Sequence, residues 1–318
     1  MPEWLFERGI GEGRYALVEN GGIIEARVEL EESVRAGAVI AARLASIGTG
    51  GRNAVARDQR GREYLLPRGA AGVSEGAMLN IEVTREAIPG DEAWKRPLAR
   101  VARDEQPGAD VHLAAELPFP SGHDRLAEYG WNDLIEEARS GIVRFAGGEL
   151  RISPTPAMTL IDVDGYLPPE DLASLGAAEA AKAIRRLDIG GSIGVDLPTC
   201  GSKAVRQSTA ARIDSLLPPP FERTAVNGFG FVQVVRPRRR ASIIELAGDR
   251  TAFEARALLR AAAFEAPGAK RIVAHPAVVR FLEHREEWTD DLARQVGGAI
   301  ELHSEPSLPM SGGYAQSL

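Results

Sequence analysis

The first third of the chain reads as short strands, and beyond it strands alternate with helical runs. In residues 1–32, Tyr15, Leu17 and Val18 face Ile23, Ile24 and Val28 across Asn20-Gly21-Gly22. Asn and Gly supply the positive-φ positions of a tight turn, so this segment predicts a β-hairpin or meander. Residues 33–104 hold short β-type runs at 38–48, 53–58, 63–67, 78–83 and 98–102. Glycines and charged turns separate them, the layout of a small barrel. Residues 104–120 are largely polar, carry Pro107-Gly108, Pro118 and Pro120, and read as a linker.

The pattern is sharpest from Ala157 to Pro198. Met158 to Val163 is a short apolar run rich in Thr, Ile and Val, which predicts a buried strand. Side chains alternate along a strand, so Asp162 and Asp164 share one face and Ile161 and Val163 the other. Pro168 and Pro169 open a helix with Glu170 and Asp171 in its first turn. Leu172, Leu175, Ile184 and Leu187 give that helix an apolar stripe, and Gly190-Gly191 ends it. Residues 192–197 predict a second strand with Asp196 near its end. A strand–helix–strand unit of this kind is right-handed with parallel strands. It places both aspartates at carboxyl ends of strands, where open α/β sheets bind ligands. Paired carboxylates there ask for a divalent cation.

Further on, residues 208–217 predict a short helix closed by Pro218-Pro219-Pro220, and residues 241–318 a compact α/β tail. In that tail Asp249 starts a helix with a capping-box pattern, and the segments around 271–276, 277–296 and 299–306 give β-α-β. His275, His284 and His303 lack ligand-like spacing and read as structural or surface residues.

Composition narrows the choices. The 318 residues can hold two or three domains, and 26% charged with 44% hydrophobic is an ordinary globular balance, not a disordered one. The net charge of −7 confines any nucleic-acid site to a local basic patch. A single cysteine, Cys200, rules out an intrachain disulfide framework and a multi-cysteine zinc site. No apolar stretch approaches the roughly 18–20 residues of a membrane span, and the N-terminal residues lack a signal-peptide pattern, so no membrane partner and a cytoplasmic location are expected.

Thr159-Leu160-Ile161-Asp162-Val163-Asp164, Glu179-Ala180-Ala181, Leu187-Asp188-Ile189-Gly190-Gly191 and Val195-Asp196 resemble, in order, the catalytic core of the ribonuclease E/G family. That family carries a T-x-I-D-x-N strand, an N-L-E-A-A helix, an R-D-x-G-G turn and a V-I-D-F strand. Asn227-Gly228-Phe229-Gly230-Phe231 followed by Arg236-Pro237-Arg238-Arg239-Arg240 is similar to its R-F-G-L-L-E-M-S-R-Q-R strand. Tyr129 to Ala138 resembles the helix upstream of the catalytic strands, and residues 147–154 the strand after it. The resemblance implies a multidomain α+β or α/β protein. Its parts would be an N-terminal hairpin of the core (1–32), an S1-like (OB-type) RNA-binding barrel (33–104), an RNase H-like/DNase I-like α/β catalytic core (105–240) and a small C-terminal α/β domain (241–318).

The resemblance further implies that Asp162 and Asp196 hold Mg²⁺ (with Mn²⁺ as a substitute) for cleavage of single-stranded RNA, with Asp164 beside them. In the barrel only Tyr64 is placed to stack a base, the alternative being that it packs inside, and Lys95 and Arg96 are candidate phosphate contacts. Lys203, Arg206 and Arg212 fall where the family has RNA-contacting basic residues. Arg236, Arg238, Arg239 and Arg240 read either as a phosphate clamp or as a charged edge that blocks strand pairing.

There are departures. The family's 5′-phosphate-sensing region and its C-P-x-C zinc insert have no counterpart, so neither zinc nor a zinc-linked tetramer is expected. A homodimer through the C-terminal domain and a monomer both stay open. The family's strand asparagine is Asp164, its helix asparagine falls at Ala177, and the aspartate after its second strand falls at Thr199. Asp164 adds a metal ligand or crowds a third negative charge into the site. The rival readings are a protein of the same fold that binds RNA without cutting it, the D-x-D pair of a nucleotide-sugar transferase, which lacks the expected glycine loop, and aspartates that only cap turns.

Overall fold

The computed structural model describes residues 1–90, 95–102, 114–120 and 122–318. Three strands, β1 (Glu3–Arg8), β2 (Glu12–Glu19) and β3 (Gly22–Leu30), form the expected meander. Asn20 and Gly21, with φ of 50° and 80°, make the β2–β3 turn. The five strands β4 (Val39–Ser46), β5 (Ala54–Asp58), β6 (Glu63–Leu66), β7 (Met78–Arg85) and β8 (Leu98–Val101) close into a barrel in the order β4-β5-β6-β8-β7. Its interior is small, filled by Ala42, Leu44, Ala56, Leu66, Ile81 and Val83 around Tyr64.

Most of the expected linker lies outside the described residues, and its end is not a linker. Strand β9 (Ala115–Leu117) pairs in parallel with β1 and makes the meander a four-stranded sheet. Helices α1 (Arg125–Glu128) and α2 (Trp131–Ser140) lead into the main sheet. That sheet is built from β10 (Ile142–Phe145), β11 (Gly148–Pro154), β12 (Thr159–Gly165), β13 (Gly191–Asp196), β14 (Glu222–Arg223) and β15 (Phe231–Arg236). The order is β10-β11-β12-β13-β15-β14, with β12 and β13 parallel and the other neighbours antiparallel.

Helix α3 (Pro169–Arg186) crosses between β12 and β13 as the sequence predicts. It buries Leu172, Ala173, Ala177, Ala180, Ala181 and Ile184 in one core with Ile161, Val163, Ile193, Val195, Val232 and Val234 of the sheet. A Cβ on Gly176 would come within 2.3 Å of Val163 Cγ1, so this small-residue stripe lets the helix lie close. Helix α4 (Lys203–Leu216) starts earlier than expected, because the Ser202 side chain accepts hydrogen bonds from the amides of Ala204 and Val205.

The C-terminal segment contains α5 (Ile243–Gly248), α6 (Arg250–Ala263), β16 (Lys270–Ala274), α7 (Pro276–Glu283), α8 (Glu286–Val296), β17 (Ile300–Ser304) and β18 (Tyr314–Ser317). Strand β16 lies between β17, parallel to it, and β18, antiparallel. Two helices rather than one connect β16 to β17. The capping box belongs to Ser242 and Glu245 at α5, while Asp249 caps α6 with its side chain alone.

A buried ion-pair network joins the first sheet to α6. Arg14 reaches Glu7 and Glu12 at 2.7 Å, Arg256 reaches Glu12 at 2.9 Å, and Arg260 spans Glu7 at 2.9 Å and Asp124 at 2.6 Å. The whole is a mixed α+β fold with a closed five-stranded barrel. Among the described residues no helix is long and apolar enough to cross a membrane.

Candidate functional site

Helices cover one face of the main sheet, and the strand register fixes what the other face displays. Arg151 of β11 pairs with Asp162 of β12, Asp162 with Asp196 of β13, and Asp196 with Phe231 of β15. Laterally paired residues point to the same side of a sheet, at strand spacings of about 4.8 Å. One row across four strands therefore reads cation, carboxylate, carboxylate, aromatic. The row toward the carboxyl end of β12 is Arg144, Glu149 and Asp164. The row on the other side is Ser153, Leu160, Gly194 and Gln233. Ile161, Val163, Val195 and Val232 point into the core, and Asp162, Asp164 and Asp196 are exposed on the free face. The sequence puts them there because their strands keep period two right up to the aspartates.

The charges on this face do not balance locally. Partial burial raises the Asp162 carboxyl above its ordinary value, and the charges of Asp164 and Asp196 push it further the same way against Arg151. Such a pair has the chemistry a hard divalent cation takes, two carboxylate oxygens side by side whose repulsion a cation relieves. Among the described residues no cluster of three or more His, Cys, Asp or Glu is arranged to hold a metal ion. Mg²⁺ keeps several waters and needs only one or two carboxylates, so Asp162 and Asp196 suffice as its protein donors, with Asp164 one row away.

Several expected RNA contacts are placed otherwise. Tyr64 is 1% exposed in the barrel core, and its hydroxyl donates to the Asp58 carboxylate at 3.2 Å. Burial drives its phenol up to about 12. It offers no ring face to a base. The arginine run is spent on internal contacts. Arg236 donates to the carbonyls of Ile184 and Ile189 at 3.3 and 3.1 Å, and Arg238 pairs with Glu245. Arg240, buried, bridges Asp188 at 3.2 Å and Glu86 at 3.6 Å. The Glu86 amide donates to the Arg239 carbonyl at 2.8 Å. This run is therefore the joint between barrel and main sheet, with the Arg239 side chain exposed.

The remaining basic candidates are dispersed. Arg96 pairs with Glu63 at 2.7 Å on the barrel. Lys95 and Arg238 line a groove of about 1020 Å³ that runs past Ser153–Pro156 to α5 and α6. Lys203 and Arg212 are exposed on α4, and Arg206 donates to the carbonyls of Cys200 and Gly201. Burial holds the Cys200 thiol above its ordinary value, aided by Glu170 and opposed by Arg206. His275 accepts from the Ala277 amide at 3.1 Å and so caps α7, and His284 bonds the Arg280 carbonyl, the structural roles expected of them.

Four residues on or beside this face were given no role by the motif reading, although Arg151, Phe229 and Phe231 lie inside stretches it matched. Arg151 and Phe231 are set beside the aspartates only by strand register. Phe229 and Tyr166 are 83% and 84% exposed, on loops at the same end of the sheet. Their one sequence signal is an aromatic next to glycine within a few residues of a strand end. The chain matches no protein-family model and no curated protein.

Proposed function

We propose that this protein is a Mg²⁺-dependent endoribonuclease acting on single-stranded RNA, of the ribonuclease E/G type. The barrel would be its S1-like RNA-binding part, the main sheet and its helices an RNase H-like/DNase I-like core. The observation that carries the reading is the register pairing of Asp162 with Asp196 at the carboxyl ends of adjacent parallel strands. Motif order along the chain supports it.

In this reading Asp162 and Asp196 hold the ion through their carboxylate oxygens. The ion, when bound, supplies polarisation of the phosphate and a hydroxide available near neutral pH. Arg151, next to Asp162 in the row and ion-paired with Glu149, would neutralise charge on a phosphate oxygen. Asp164 in the adjoining row keeps a second anion away, which confines the phosphate to the central row. Products with a 5′ phosphate and a 3′ hydroxyl follow from the family resemblance. Mn²⁺, another hard cation, would substitute for Mg²⁺.

A second reading, RNA binding without cleavage, is favoured by Ala177. This residue stands where the family helix has asparagine, is fully buried, and gives the site no polar group. Cleavage of an end-labelled single-stranded RNA separates the two. Cutting in Mg²⁺ that EDTA, Asp162→Asn and Asp196→Asn each abolish establishes the nuclease. Binding without cutting, indifferent to both substitutions, replaces it with the second reading.

A further inference from the structure

We infer that the open sheet face carries a nucleobase subsite, with the Phe231 ring as its floor and Phe229 at its rim, for an unpaired base next to the phosphate held at Asp162 and Asp196. The inference rests on the nuclease reading and adds where the base goes. Its first support is position. Phe231 pairs with Asp196, one strand beyond the two aspartates, so an aromatic ring adjoins the carboxylates in the same row.

The second support is how that ring lies. A Cβ built on Gly194 would fall 2.6 Å from Phe231 Cζ, 3.0 Å from Cε2 and 3.1 Å from Leu160 Cδ2. The ring therefore leans from its own row over the bare backbone of Gly194, with Leu160 beside it. The tip of the ring meets the sheet there, and the side chain is half-buried. Any side chain at 194 would lift it. Third, Phe229 is 83% exposed on a loop that is held in place. Asn227 Oδ1 accepts from the amides of Phe229 and Phe231 at 2.9 and 3.0 Å, and Thr199 Oγ1 donates to the Phe229 carbonyl at 3.2 Å. An aromatic that exposed on a fixed loop is a platform for something flat.

Charge decides the occupant. A second copy of the chain laid face to face would bring Asp162, Asp164 and Asp196 against their own counterparts or against the apolar ring. A single nucleic-acid strand alternates phosphate with flat base, and the row alternates in the same way, Arg151 and the carboxylates for a cation-bridged phosphate and Phe231 for a base. Only an unpaired base has a free face for such stacking.

The experiment uses a short single-stranded RNA carrying fluorescein at its 5′ end and one internal 2-aminopurine, mixed with the full chain in Mg²⁺. Fluorescein anisotropy reads total binding, and 2-aminopurine quenching reads stacking before cleavage. Wild type quenches the probe. Phe231→Leu, which keeps an apolar strand residue, removes the quenching and weakens binding roughly tenfold, while Phe231→Tyr keeps both. Thermal midpoints confirm that both variants fold. Unchanged quenching and affinity in Phe231→Leu, with cleavage still abolished by Asp196→Asn, overturns the subsite and leaves the nuclease reading standing. Absence of any RNA binding by wild type overturns both. A wild-type dimer that Phe229→Ser dissolves assigns the face to a second copy and overturns the subsite.

Discussion

Two groups of carboxylates in this molecule are treated in opposite ways. At the joint between the first sheet and α6, Glu7, Glu12 and Asp124 are surrounded by Arg14, Arg256 and Arg260, with every ion pair at 2.9 Å or closer. Burial pushes the Asp124 carboxyl up, yet the hydrogen bonds and charge of Arg260 outweigh it and hold that carboxyl below its ordinary value. On the open sheet face Asp162 meets Asp164 and Asp196, with Arg151 as the opposing charge, and its carboxyl is raised. Balanced charges deep in the protein serve the fold. Unbalanced ones in solvent weaken it slightly, which is what a site kept for an outside cation looks like.

The joint breaks with the largest effect. Arg260→Ala leaves Asp124 unpaired and strips Glu7 of one of its two guanidinium partners, at a cost of about 3–5 kcal/mol and a drop in thermal midpoint on the order of 10 °C. The pH profile sharpens this. A lowered folded value means that Asp124 stabilises the protein above its unfolded value and that this share is lost as pH falls through the folded one. The acid limb of the melting curve therefore flattens in Arg260→Ala. RNA cleavage below the melting range should stay unchanged.

On the proposed nuclease reading, Asp196→Asn does the reverse, lowering cleavage at least about 100-fold while the melting temperature holds. Asp162→Asn adds a sign test by calorimetry. A raised folded value means that the native state loses stability as pH rises from the unfolded value through the folded one. Above both, removing the charge should leave the midpoint equal or slightly higher. A fall of several degrees would make Asp162 a turn-capping residue and not a ligand. The smallest effect belongs to the barrel. Tyr64→Phe deletes the hydrogen bond to Asp58, costs about 0.5–1.5 kcal/mol in a denaturant titration, and leaves RNA affinity unaltered.

What could be read from the sequence was what local chemistry controls. The period-two run ending in Asp162, the Pro-Pro start of α3 and the second strand are each set by neighbouring residues, so strand, helix, strand and the faces of the aspartates follow. Phase was the difficulty in the barrel. Strand β6 carries Tyr64, Leu65 and Leu66 in succession, and Glu63 alone, at the strand's first position, marks which of them point inward. Tyr64 and Leu66 do. The arginine run failed for another reason, since a charge says nothing of its partner. Asp188 lies 52 positions from Arg240, and Glu86 comes from the barrel. Arg151 and Phe231 needed the hairpin and crossover registers, which no single segment encodes. A lone serine before α4 carried the cap that moved its start to Lys203.

The Arg260 bridge also bears on how the polypeptide is made. Glu7 leaves the ribosome early, and Arg260 follows it by 253 positions, roughly 10–50 s later at ordinary elongation rates. Through that interval the meander has Arg14 for both Glu7 and Glu12, but the places of Arg256 and Arg260 must be taken by water, and the sheet cannot settle against α6. The barrel, whose core residues lie within its own segment, is under no such delay, and only its Glu86 waits for Arg240. Vectorial synthesis would therefore present a finished barrel on an unfinished first sheet, with a late-made helix closing the earliest strands.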